Sequence, residues 1–464
     1  MVNTPAAEFA ARIDRLPASR TIWRMIALIS LGGCFEFYDL FLTAYVVPGM
    51  AKEGLFSDAS LGPFAALKAI NTPGAGTFVF FLFAGLFVGT ILFGWVADAY
   101  GRRTIFTFSM LWYSVATLVM AGMPNGFWID IWRFIAGIGI GVELVTIDTY
   151  VSELIPREAR GRAFAFSQFV TFSAVPVVAL LASPWLLGPE NWRWVVVIGA
   201  IGALFVWWFR RALPESPRWL ARHGRLAEAE TTLSAIEAQV IAETGAPLPR
   251  PGEAIAETGK ADFAEIMRPP YGRRTAILSI FHFFQTYGYY GFASWVPTLL
   301  IAQGITLTRS LEWSFIIAIA NPIAPLIGML IADRMERKWQ IVFAALGIAV
   351  FGLLFSAQRA IGPLIVFGVL ITLSNNWLSY AFHNYQTELF PTRIRARAVG
   401  FVYGWSRLSA ALSGLAIATF LGLGGGNNTT AVFAFIASCM VIVMIVIGVF
   451  GPRTRGLALE AISH

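Results

Sequence analysis

Cysteine and charge are both scarce in this chain. Its 464 residues include two cysteines, Cys34 and Cys439, and both fall inside long apolar runs where neither can staple a loop. That excludes a disulfide framework and leaves thiol chemistry unsupported; small apolar packing is the default for such residues. Charged residues make up 13% of the sequence, against 57% hydrophobic and 14% aromatic. A soluble globule of this length needs far more polar surface, so that class is excluded too. Enzyme signatures are missing as well: no run or loop holds a metal constellation, a nucleophile with a paired base, or a phosphate loop, and no cofactor is implied. Gly137, Gly139 and Gly141 imitate part of a dinucleotide fingerprint, but no strand precedes them, so they read as close helix packing.

What is abundant is apolar length. Crossing about 30 Å of hydrocarbon takes about 20 residues at roughly 1.5 Å each. Twelve such runs occur, roughly at 22–50, 74–98, 104–122, 127–152, 163–187, 192–211, 274–301, 311–332, 339–357, 362–387, 398–421 and 431–450. The expected fold is all-α integral membrane, with twelve transmembrane helices in two pseudo-symmetric six-helix bundles. The bundles are expected at 22–211 and 273–452, joined by a linker at 212–272 and flanked by tails at 1–21 and 453–464. The polar start of the chain reads as disordered, and the linker as carrying one surface helix from Pro217 to Thr244. The first run is too long for a signal peptide and should be kept as an anchor.

Charge sets the orientation. With the amino terminus inside, 27 of the 34 lysines and arginines fall on the cytoplasmic side, which predicts a multi-pass protein of the cell membrane with both termini cytoplasmic. Loop cations facing anionic lipid account for the net charge of +7, so no nucleic-acid partner is needed.

The chain also repeats itself. Asp98-Ala-Tyr-Gly-Arg-Arg103 returns as Asp333-Arg-Met-Glu-Arg-Lys338, and Glu153-Leu-Ile-Pro-Arg returns as Glu388-Leu-Phe-Pro-Thr, both at one and the same offset along the chain. Tyr38 and Pro48 return as Tyr287 and Pro297 at a slightly longer offset, as a longer first outer loop requires. In that register Glu36 becomes Gln285 and Asp39 becomes Gly288, so the first half keeps acids where the second is neutral. A duplicated helical membrane unit points to a transporter.

Several strings resemble the major facilitator superfamily. Gly94-Trp-Val-Ala-Asp98-Ala-Tyr-Gly101-Arg102-Arg103 is similar to its loop between spans two and three, and Arg133-Phe-Ile-Ala-Gly137 to its fourth-span motif. Pro214-Glu-Ser-Pro-Arg218-Trp219 resembles the sugar-porter side, while Phe35-Glu36-Phe-Tyr-Asp39, Gly141-Val-Glu143-Leu and Ser406-Arg407-Leu look more like the niacin-type, organic-ion and synaptic-vesicle-protein-like branch. The resemblance implies a first-span acid and a fourth-span arginine that couple protons, positions matched here by Asp39 and Arg133.

Ionisable groups within a membrane are costly and need a partner or a use. Asp39 lies about 25 Å up span one and Arg133 about 9 Å below the outer start of span four, which brings both to the outer third and permits a bidentate pair. Glu36, one turn from Asp39, is a second candidate proton carrier. The plain alternatives are a permanent ion pair and a structural hydrogen bond. Arg407, near mid-membrane, is expected to clamp a substrate carboxylate, with Gln285, Tyr289 and Asn375 as neutral donors and Tyr38, Phe284 and Trp377 as aromatic walls. Its plain alternative is a buried bridge to Glu143 or Glu36. Glu143, Asp148 and His383 lie towards the cytoplasmic end, where a lone histidine is more often structural.

At the inner surface, ion-pair latches are expected between Asp98 and Arg102 or Arg103, Glu153 and Arg160, Asp333 and Arg337 or Lys338, and Glu388 and Arg395. The resulting expectation is a monomeric proton-coupled symporter of a small organic anion, embedded in the lipid bilayer, whose partners are its small-molecule substrate and protons. A proton-coupled sugar or polyol carrier is the nearest rival.

Overall fold

The computed structural model describes residues 5–70, 75–93, 100–211, 213–252, 263–331, 335–390, 392–423 and 427–453. Asp98 and Asp333 lie outside these, and the side chains of Asp148, Arg160 and Arg395 lie outside those described.

The fold is all-α, with twelve spans. The first six are Arg20–Lys52, Ala75–Phe93, Arg102–Ala121, Gly126–Leu154, Arg157–Ala182 and Trp192–Arg210. Span seven is broken into Tyr271–Ala293 and Val296–Ala302, and span eight into Leu307–Ala318 and Ala320–Ile331. Spans nine to eleven are Arg337–Ala357, Ile361–Glu388 and Thr392–Gly422; span twelve runs Thr429–Ile445 and ends in a π turn, Val446–Phe450. Proline explains both breaks, because its ring clashes with the carbonyl four residues back and it brings no N–H. For Pro297 that carbonyl belongs to Ala293, the last residue of the first segment. For Pro322 it belongs to Ala318, whose oxygen instead accepts Asn321 Nδ2 at 3.1 Å.

Spans two and four lie backbone to backbone. A Cβ on Gly85 would meet the Phe134 carbonyl at 2.2 Å, one on Gly137 the Leu82 carbonyl at 2.3 Å, and one on Gly141 the Leu86 carbonyl at 2.3 Å. These glycines therefore serve helix contact. The two halves mirror one another in packing: Tyr38 donates to the Val195 carbonyl of span six at 2.7 Å, while Tyr287 sets its ring 5.1 Å from Phe435 of span twelve.

The start of the chain corrects the expectation of a disordered tail. Pro5–Asp14 is a helix that buries Phe9 and Ile13 against Trp219, Leu220, Ala229 and Leu233 of the linker. The linker helix is also two, Pro217–Arg222 and Leu226–Thr244, because the chain turns between them at Gly224 with φ +74°. Arg12 bridges Glu230 at 2.5 Å and Glu237 at 2.8 Å, Arg15 reaches Glu237 at 2.7 Å, and Arg218 reaches Asp14 at 2.8 Å. Partial burial pushes the Glu237 carboxyl up, but hydrogen bonds from Arg12 and Arg15 outweigh it and leave the group below its ordinary value.

This helix and the linker mark one face of the protein, the linker face. At the opposite, far face the two bundles close on each other. A Cβ on Gly76 of span two would lie 2.9 Å from the Ala418 Cβ of span eleven, Gly414 faces Val79, and Trp185 packs on Phe315 with ring centroids 5.6 Å apart. Deeper in, Phe83 meets Tyr290 at 4.5 Å and Phe41 meets Tyr289 at 6.5 Å.

Candidate functional site

Span one supplies two buried acids a turn apart. The Asp39 carboxylate takes Arg133 Nη1 on one oxygen at 2.8 Å and the Thr117 hydroxyl on the other at 3.0 Å. Arg133 Nη2 donates to the Asp39 main-chain carbonyl and to Thr43 Oγ1, both at 2.6 Å, and the guanidinium lies 5.2 Å from the Phe78 ring centroid. The pair is therefore shared rather than bidentate: one arginine ties its acid, that acid's backbone and the Thr43 hydroxyl, joining spans one and four, while Thr117 ties the acid to span three. Protonating Asp39 would weaken one of three anchors of Arg133 and leave two in place.

Glu36 is fully buried at the midpoint of span one, a helix of 33 residues. Across the bundle boundary stands Arg407, 3% exposed and at the midpoint of span eleven. Arg407 Nη2 donates to the Tyr403 hydroxyl at 3.2 Å, its guanidinium sits 4.7 Å from that ring's centroid, and Tyr290 hydrogen-bonds to it as well. Glu36 acts on both Arg407 and Tyr290 electrostatically. Two opposite charges thus face the same mid-membrane level from the two bundles.

Glu143 is taken by a partner that the residue pattern concealed. Arg210, at the inner end of span six, is fully buried and pairs with Glu143 at 2.6 Å, its guanidinium 3.5 Å from the Phe106 ring centroid. It can do so because Gly32 leaves the space open: a Cβ there would fall 0.9 Å from Arg210 Nη2. The bridge from Arg407 to Glu143 is thereby excluded.

A narrow cavity lies at the bundle boundary, walled by Phe41, Tyr45, Tyr289 and Phe292 and lined by Ser314, Asn321, Thr372, Asn375 and Asn376. Asn376 Nδ2 donates to Asn321 Oδ1 at 3.0 Å and to the Thr372 carbonyl at 3.1 Å; Asn375 Nδ2 points to the Gly288 carbonyl at 3.4 Å. The Oδ1 atoms of Asn375 and Asn376 and the Ser314 hydroxyl are buried without a hydrogen-bond partner. Such atoms suit a ligand that brings donors. Tyr289 and Asn375, expected at the site, are in this lining; Asn321 and Asn376 were missed, although the break at Pro322 and the adjacent asparagines were visible signals.

Other expected residues lie elsewhere. Tyr38 packs against span six, filling the space at Gly199, and Trp377 points its Nε1 at Gln340 Oε1 of span nine at 3.4 Å, so neither walls the cavity. Gln285 turns to Thr286 Oγ1 at 3.1 Å, and Phe284 packs beside Phe283, 5.3 Å between centroids. His383 holds the Ser379 carbonyl at 2.7 Å, a local structural contact. His282, not singled out from the sequence, is the more deeply buried histidine, with Nε2 2.9 Å from Gln386 Oε1 between the Phe382 and Tyr403 rings.

On the linker face, among the described residues, one duplicated motif pairs with the other. Arg102 meets Glu153 at 3.3 Å, and in the second copy Arg337 meets Glu388, also at 3.3 Å. Each pair lies inside its own bundle, and the other expected latches, which involve Asp98, Arg160, Asp333 and Arg395, lie outside the described residues and side chains. Arg103 donates to the Arg211 carbonyl at 2.7 Å, and Lys338 caps span twelve through the Gly448 and Gly451 carbonyls at 3.1 and 3.2 Å. Helix geometry favours this, since the arginine opens one helix beside the end of another. Glu215 caps span three by accepting the N–H groups of Arg102 and Arg103 at 3.0 and 3.2 Å. Burial raises its carboxyl above the ordinary value in spite of these donors.

Comparison with known proteins agrees with this architecture. A family model described as sugar (and other) transporter matches residues 25–464. The chain is 30% identical over 455 residues to the putative metabolite transport protein YyaJ of Bacillus subtilis, covering 97% of each. It is 26% identical over 460 residues to the niacin transporter NiaP of Acinetobacter baylyi, covering 98% of this chain and all of that one. Among solved structures, the inward-open xylose transporter XylE from E. coli superposes with a TM-score of 0.73 at 19% identity, covering 95% of this chain and 99% of that one. With twelve spans in two related bundles, a closed far face and this match along nearly its full length, the chain belongs to the sugar (and other) transporter family of the major facilitator superfamily and is a secondary transporter.

Proposed function

We propose that the protein is a proton-coupled symporter of a small organic anion, working by alternating access with both termini in the cytoplasm. Arg407 carries the reading. It is a buried guanidinium at mid-membrane whose hydrogen bonds go to tyrosines, with no carboxylate within ion-pair distance among the described residues. A cation held that way favours an arriving anion. The relative named as a niacin transporter fits, niacin being a small aromatic acid. Asp39, with its shared link to Arg133, is assigned the proton, and Glu36 the charge that answers Arg407 between substrates.

The test is uptake into liposomes by purified protein under an imposed pH gradient. Wild type should accumulate its substrate when the gradient points inward; uptake indifferent to the gradient would overturn symport. Asp39→Asn should abolish accumulation and spare counterflow exchange, and equal loss of both would make Asp39 structural.

A second reading, a sugar or polyol cargo, is favoured by one observation: the unpartnered amide oxygens of Asn375 and Asn376 suit hydroxyl donors. Arg407→Lys separates the two. A carboxylate clamp should lose about tenfold or more in apparent affinity, whereas a neutral-substrate site should change little.

A further inference from the structure

Asp130 is used by nothing described so far. It sits in the first turns of span four, which opens at Gly126, and is fully buried. One carboxyl oxygen accepts the Thr77 hydroxyl of span two at 2.7 Å; the other has no hydrogen-bond partner. Asp130 makes no ion pair among the described residues. Span two, on which it packs, carries no charged residue over Ala75–Phe93; on its own helix Arg133 is turned to Asp39 of span one, Glu143 to Arg210 and Glu153 to Arg102 of span three, Lys52 at the far end of span one is turned to Glu190, and the exposed Asp58 lies on the short helix Asp58–Leu61; the Lys68 side chain lies outside those described. An ionised carboxylate with a bare buried oxygen is costly to hold away from water, while a neutral carboxyl needs far less solvation.

Its location adds the second half of the argument. Thr77 follows Gly76, the point where span two touches Ala418 of span eleven, so the hydrogen-bond partner of Asp130 flanks the far-face seam, about 100° round the helix from the contact itself. Parting that seam would expose Thr77 and the carboxyl beneath it to water from the far side. One turn deeper on the same helix is Arg133, and with it Asp39.

We propose that Asp130 is the proton-loading group of the far face: it takes up a proton when the seam opens, is covered in the neutral form when the seam closes, and stands one helical turn above the Arg133–Asp39 pair that the proton must reach. The inference rests on the symport reading and adds a residue to it.

Two measurements test it. In liposomes, Asp130→Asn should flatten the dependence of gradient-driven uptake on far-side pH while leaving counterflow exchange within about twofold of wild type, and Thr77→Val should displace that pH profile with Thr77→Ser restoring it. In infrared spectra of purified protein, the wild type should show a buried protonated-carboxyl band that is missing from Asp130→Asn and present in Asp39→Asn. Gradient-driven uptake in wild type together with an unchanged pH profile and an unchanged carboxyl band in Asp130→Asn would overturn the assignment while sparing symport. Indifference of wild type to the gradient, with the band still lost in Asp130→Asn, would instead strike the symport reading and leave Asp130 as a buried neutral acid.

Discussion

Single residues decide whether the buried charges of this protein are tolerated. Gly32 is the sharpest case, because the Arg210 guanidinium occupies the volume any side chain there would need. Gly32→Ala is expected to drive Arg210 away and leave Glu143 buried without its cation, a loss of about 3–5 kcal/mol. Thermal unfolding in detergent would register it, and the same substitution in an Arg210→Met, Glu143→Leu background should cost little. An equal cost in both backgrounds would remove the ion pair as the cause. Asp39 and Arg133 were legible from residue type and depth, since charges within apolar helices stand out and a helix rises uniformly. Arg210 was not, because a cation at a helix end looks the same whether it snorkels to water or folds back inside. Asp130 escaped for the related reason that it lies near a span's start, where acids are common.

Helices were legible as elements but not in their rotation. Spans such as Ala75–Phe93 are apolar all round, so the sequence offers no polar face to say which side looks inward. For that reason Tyr38 and Trp377, expected to wall the substrate, turn to spans six and nine. Short elements were the other gap: the ten-residue helix Pro5–Asp14 owes its existence to the linker surface beneath it, which no local pattern reveals. Its docking should depend on pH through Glu237. That carboxyl is held below its ordinary value, so its ionised form contributes stability above about pH 4, and the contribution is lost as pH falls through the lowered folded value. Amide hydrogen exchange in residues 5–14 is expected to be slow at pH 7 and to lose protection below about pH 4 after correction for intrinsic rates. Glu237→Gln should show the weaker protection already at neutral pH.

On the scale of the whole molecule, duplication was the strongest sequence signal, and the packing repeats it, Tyr38 on span six and Tyr287 on span twelve. What duplication leaves open is which face is shut. In this structure the far face is closed through Gly76, Ala418, Val79 and Gly414, contacts that require small residues. Gly76→Leu should therefore wedge the bundles apart there. With a cysteine at Ser314, a lining residue of the cavity, in a background lacking Cys34 and Cys439, a membrane-impermeant thiol reagent added to the far side should label faster in Gly76→Leu than in its parent, and transport should fall. Equal labelling would show that another contact closes the face.

The matched pairs Arg102–Glu153 and Arg337–Glu388 each stay within one half. Each half is thereby braced at its own base. A swing of the two on the linker side would leave both braces intact, so as far as these pairs are concerned the speed of the carrier should be nearly indifferent to ionic strength.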